Sequence, residues 1–315
     1  MANDAHAIWV PKTDEHERAF REAQESCVLL RPSPRRFVLF PIQHHQIWEH
    51  YKLLEHSFWT AEDFDVDLAA FSCLTDAART RICSLVDAHL YAAQQLRLSG
   101  IVDAFAGELQ AAEARCYFGF QGMIENIHIE ALSSTVLRLQ PLCLNVPPRV
   151  VVNSVEPLLE ACTSPEHSFT RRLLVYAATL YYYRSCTLAA SRSLELELPS
   201  LAALFARLAR DLDRCCDFAN LLCRMIVPSQ IFGSPWLIQL LYNTAAACAR
   251  TFPNLSVQSD IHYNLAEAFC ISLSNGVLSP HSRSTDGTPA FSPPLTPQPQ
   301  KESEGTFVFV TDVDF

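Results

Sequence analysis

From Ile47 to about Ile271 apolar residues recur at steps of three and four, in segments separated by Pro141, Pro147 and Pro148, Pro165, Pro199 and Pro228. That period predicts helix after helix and no sheet. The stretch DAARTRICSLVDAHLYAAQQLRLSGIVDAF carries one apolar stripe, the pattern of a helix with one face in a core. RRLLVYAATLYYYRSCTLAA is apolar nearly all round, which predicts a central, buried helix. Residues 1–30 are polar and helix-prone without a strong pattern, and Pro32 and Pro34 interrupt the chain before the apolar FVLFPI, so 1–30 reads as an arm. A helical domain then runs over 31–276. Beyond Gly276 six prolines, from Pro280 to Pro299, stand among Ser, Thr and Gln, which predicts a disordered linker over 277–306. The last residues, 307–315, end in FVTDVDF, a short aromatic and acidic peptide with the pattern of a docking segment; its plainer reading is a frayed terminus.

Composition agrees with helices. Hydrophobic residues make up 49% of 315, ample for a core, and glycine occurs only 8 times, with none between Gly122 and Gly233. The net charge of -10 argues against a nucleic-acid footprint, which needs clustered Lys and Arg. The 12 cysteines are scattered with no CxxC pair, and most are expected to be small buried apolar residues. With no signal peptide and no long apolar run, the expectation is a reduced, cytoplasmic protein with no membrane partner.

The chemistry is concentrated in EARCYFGFQGMIENIH, which ends in Glu125 and His128 at i, i+3 spacing. Di-iron bundles use such a Glu-x-x-His pair from each of two helices and a lone carboxylate from each of two others. Other motifs carry less. His44 and His45 have no third ligand nearby, adjacent Cys215 and Cys216 diverge on a helix, and no phosphate loop or G-x-S-x-G turn is present.

With PRRFVLFPIQHHQIWEHYKLLEHSFWTAEDFDVD, EARCYFGFQGMIENIH, RDLDRCCDFA and FVTDVDF in view, the chain resembles the small subunit of class I ribonucleotide reductase. The resemblance implies an all-α, ferritin-like fold, a homodimer or heterodimer, a di-iron and tyrosyl-radical cofactor, and a C-terminal peptide that docks on the large subunit. Transferred position by position, Glu125 and His128 match. The first lone carboxylate falls on Gln94, or on Gln95 with a slip of one, the second on Leu180, and the second Glu-x-x-His pair on Leu212 and Cys215. The radical tyrosine falls on Leu132, and no tyrosine follows Tyr263 to serve as a relay in the tail. Trp59 and Asp211 match a buried Trp and Asp of the family's radical path; with its ends missing, they read as structural. The neighbouring Tyr181, Tyr182 and Tyr183 read as packing.

The resulting expectation is a small-subunit homologue in deoxyribonucleotide synthesis that is not catalytic alone, with no cofactor of its own. It would pair with an intact small subunit, as a ligand-deficient family member does in fungi, or with itself. It would reach the large subunit through Phe309, Asp312, Asp314 and Phe315. The alternatives are a mononuclear zinc or iron enzyme using Glu125, His128 and Cys215, an active small subunit in a slipped register, and a scaffold unrelated to nucleotide reduction.

Overall fold

A computed structural model describes residues 14–142, 161–232 and 234–251. The chain divides into two units, Met1–Ser282 and Arg283–Phe315, and all described residues belong to the first. The linker, the tail and the far boundary of the helical domain lie outside the described residues.

All regular structure among the described residues is helical. The α-helices are α1 (Asp14–Ser26), α2 (His45–His56), α3 (Leu68–Ser72), α4 (Asp76–Leu98), α5 (Ile101–Glu108), α6 (Ala112–Leu139), α7 (Phe169–Leu194), α8 (Pro199–Ile226) and α9 (Pro235–Thr251). Local chemistry sets the boundaries. Thr75 caps α4 by accepting from the Ala78 amide, and Ser168 caps α7 by accepting from the Arg171 amide. Pro199 opens α8, where its missing N–H costs nothing. The stripe read as one helix is broken at Gly100, whose φ of 68° is left-handed, and the chain restarts as α5.

Two helix pairs form the bundle. The 26-residue α7 and 28-residue α8, joined by a short loop, pack along their lengths, and α6 packs on α4 and α5. At 1.5 Å per residue the long helices span about 40 Å. Every residue from Phe169 to Arg184 on α7 is buried, as expected of a helix apolar on all sides. α2 closes over α6 and α8, and α9 packs against α7. Part of the expected arm is packed as well: Phe20 of α1 is fully buried with its ring 5.3 Å from that of Trp236.

A clamp positions α6. The backbone N–H groups of Gln43 and His44 donate to Glu113 Oε1 at 2.6 and 3.0 Å, holding the entry of α2 against the start of α6. His44 thus contributes its backbone, while His45 is exposed.

Candidate functional site

The spacing of the chemistry-bearing residues on α6 and α8 brings two polar groups into the bundle interior. The first is a knot around Asp211 of α8. Its Oδ2 accepts from Trp59 Nε1 at 2.7 Å and from His128 Nε2 at 3.0 Å, and its Oδ1 lies 3.6 Å from Arg214 Nη1. Asp211, Trp59 and His128 are 1%, 3% and 4% exposed, so these bonds stand in place of water. The Trp59 and His128 rings stack at 6.1 Å, and Arg207 lies 5.5 Å over the Trp59 ring. His128 therefore turns its Nε2 toward Asp211.

The second group lies one turn earlier on α6. Gln121 donates from Nε2 to Glu125 Oε1 at 3.0 Å and to the Tyr176 hydroxyl of α7 at 2.6 Å. Glu125 Oε2 is buried and has no hydrogen-bond partner among the described residues. Burial raises the Glu125 carboxyl to about 7, against the downward pull of the Gln121 bond and of Arg97, itself held by Asp103 at 2.8 Å. Sequence reasoning missed Gln121 and Tyr176. Both carried a signal: Gln121 is four residues before Glu125, and Tyr176 four before Leu180, so each shares a helix face with an expected ligand position.

The remaining expected positions hold different chemistry. Leu180, Leu212, Cys215 and Leu132 are buried, and Gln94 and Gln95 are half-buried on α4. Burial holds the Cys215 thiol well above its ordinary value, so it stays protonated, with Tyr117 as its hydrogen-bond neighbour. A dinuclear centre needs several carboxylates to balance and bridge its metals. Leu180 and Leu212 offer neither charge nor lone pairs, and each instead gains about 1.5–3 kcal/mol by its own burial. On the register that the resemblance implies, the side chains present therefore do not make up the six-ligand dinuclear set. Glu125, His128 and Cys215 are not gathered as a trio either: among the described residues no group of three or more His, Cys, Asp or Glu is placed to hold a metal ion.

The three tyrosines of α7 are buried, and Tyr183 donates its hydroxyl to the His89 carbonyl at 3.2 Å. His89, on α4, is fully buried, its Nδ1 2.9 Å from the Leu85 carbonyl and its ring edge-on to Phe205 at 4.6 Å. Its Nε2 has no hydrogen-bond partner among the described residues, and burial lowers the imidazole to about 4. Phe309, Asp312, Asp314 and Phe315 lie outside the described residues. No helix among the described residues is long and apolar enough to cross a membrane.

Comparison with known proteins supplies one correction. An R2-like ligand-binding oxidase, 13% identical with a TM-score of 0.51 over 78% of this chain and 98% of its own, is described with an aerobically reconstituted Mn/Fe cofactor. The expectation that the chain has no cofactor is therefore withdrawn, because proteins of this fold carry metal. The physical reason lies in the donors present: Glu125 keeps a buried oxygen with no hydrogen-bond partner among the described residues.

The other comparisons concern descent and fold. The family described as ribonucleotide reductase, small chain, matches residues 36–141. Human ribonucleoside-diphosphate reductase subunit M2 is 32% identical over 238 residues, 71% of this chain and 60% of the human protein. The chain thus spans less than two thirds of that relative's length. The Rnr4 homodimer of Saccharomyces cerevisiae shares the fold with a TM-score of 0.67 at 24% identity, over 84% of this chain and 89% of its own. The all-helical, ferritin-like architecture and the matched residues lead to one conclusion: the chain belongs to the class I ribonucleotide reductase small-subunit family.

Proposed function

We propose that this chain is an accessory small subunit, serving deoxyribonucleotide synthesis by assembling with reductase chains rather than by generating a radical on its own side chains. The observation that carries the reading is the pair of buried leucines, Leu180 and Leu212, at positions where the family's ligand pattern calls for carboxylates. The knot of Trp59, Asp211 and His128 is then a structural element that keeps α6, α8 and the segment after α2 in register. The Rnr4 structure is described as a homodimer, and a small-subunit pair is the assembly proposed here, with an intact small subunit or a second copy as partner. Phe309, Asp312, Asp314 and Phe315 form the contact with the large subunit: the two rings anchor, and the acids set orientation and on-rate. The proposed compartment is the cytoplasm.

The test is capture of reductase subunits from the source cell by the full chain and by a chain ending at Val308. Tail-dependent capture of the large subunit supports the reading, and co-capture of an intact small subunit assigns the pair as a heterodimer. Equal capture by the shortened chain removes the docking role from the tail, and capture of neither subunit overturns the accessory function. Metal analysis of the purified protein checks the ligand argument separately: two metals per chain, lost on His128→Ala, would show that the leucine positions are not where the ligand pattern places them.

A further inference from the structure

The outer side of α6 is bare among the described residues. Gly119, Met123, Asn126 and Glu130 recur along it at steps of three and four, so they share one face, and all four are exposed. Beside that face runs an unbroken row of rings. Phe40 meets Trp48 at 6.1 Å, Trp48 meets Tyr51 at 4.9 Å, Tyr51 meets Phe120 of α6 at 6.1 Å, and Phe120 meets Phe58 at 6.3 Å. Phe40 and Phe58 are 66% and 48% exposed, and the three rings between them are only half-buried. A contiguous apolar surface with a charged rim marks a protein interface rather than a solvated face.

Charge is ordered along the same strip. At the start of α6 it is positive: Arg36 and Arg115 lie 5.0 and 4.9 Å from the ring of Phe37, itself 73% exposed, and Arg35 next to them in sequence is exposed as well. The sequence has no Asp or Glu from Cys27 to Trp48, and Glu113, the acid in the first turn of α6, is buried in its clamp. In the middle, Lys52 lies 5.8 Å from the Trp48 ring and is paired with Glu55, so the two charges cancel. At the far end the strip is negative. Glu62 and Asp63, in the short turn Ala61–Asp63 that packs on α6, and Glu130 of α6 itself are exposed, while Arg138 is taken by Asp65. Arg115 and Glu130 stand about 22 Å apart along the helix, with Met123 midway between them.

We propose that this strip is the face on which a second copy of the chain docks, antiparallel, about a twofold axis near Met123. Such an axis lays the basic end of each copy against the acidic end of the other and crosses the two rows of rings at the centre. A parallel copy would set like charge on like, and a partner of one sign would be repelled at one end. Arginine and aromatic side chains are also the types enriched in protein interfaces. The inference rests on the reading of the chain as one of a small-subunit pair, and adds to that reading the face and the self-partner.

Sedimentation equilibrium of the full-length protein provides the test, and a dimer at micromolar concentration is expected. Arg35→Glu and Glu130→Arg should each weaken it by about tenfold, because each sets like charges together twice, and the double variant, which exchanges the two signs, should return to within about threefold of the parent. Phe40→Ser should weaken the dimer by about tenfold through lost ring contact. All three side chains are exposed, so the circular dichroism of each variant should match the parent. Four outcomes would each overturn the proposal: a monomer throughout, a dimer indifferent to both single reversals, a double variant as weak as the single ones, or a dimer indifferent to Phe40→Ser. A monomer that still captures reductase subunits from the cell would overturn this inference alone, whereas a dimer that behaves as expected and captures neither subunit would overturn only the accessory function.

Discussion

The Asp211 knot and the Glu125 pocket meet α6 one turn apart, at His128 and Glu125, and they treat buried polar groups in opposite ways. Around Asp211 one oxygen receives two donors and the other faces an arginine. At Glu125 one oxygen has Gln121 and the other has nothing among the described residues. Buried polar groups that are fully answered stiffen a core, while partly answered ones weaken it unless another partner arrives. The contrast separates what holds this bundle together from what is left at its centre once Leu180 and Leu212 line it. Of the two residues that the resemblance matches, His128 is bonded into the knot and Glu125 is not.

The strongest way to break the comparison is Asp211→Ala, which leaves Trp59 Nε1 and His128 Nε2 buried without an acceptor. The expected loss is about 3–5 kcal/mol in urea unfolding; a loss under 1 kcal/mol would deny the knot its structural role. A slightly smaller effect should come from pH, through His89, which like Glu125 has a buried atom without a hydrogen-bond partner among the described residues. Its folded value, about 4, lies below the ordinary 6.5, so the unfolded chain takes up the proton first as pH falls. The His89 contribution is then complete above pH 6.5 and is lost on the way to pH 4, of order 3 kcal/mol. His89→Gln should flatten stability across that window, and an unchanged slope would place the titration elsewhere. The smallest effect is expected of Glu125→Leu: a change within about 1 kcal/mol, or a gain, because an apolar group replaces a poorly answered acid. A loss near that of Asp211→Ala would mean that the free oxygen has a bound partner in the purified protein, and metal analysis of the same sample would identify it.

Much of the architecture could be read along the chain, because helical period, scarce glycine and well-placed prolines all act locally. The all-round burial of α7 follows directly from its composition. The break at Gly100 was harder, since the apolar stripe continues in phase on both sides and only a left-handed φ interrupts it. The burial of Phe20 was not legible: α1 is polar overall, and the ring that Phe20 meets, Trp236, is more than two hundred positions away. At the candidate site, the link of Trp59 and His128 through Asp211 was legible from the resemblance, but the partner of Glu125 was not. Glu125 is bonded to Gln121, on its own helix.

The Glu113 clamp has a further consequence. α6 is fastened at its start to the backbone of Gln43 and His44 and, four turns on, through His128 to Asp211. Two attachments on one rod fix both its depth and its roll, and neither passes through Glu125, Leu180 or Leu212. The middle of the bundle thus takes no share in seating α6, and substitutions at Glu125, Leu180 or Leu212 are expected to leave its depth and roll unchanged.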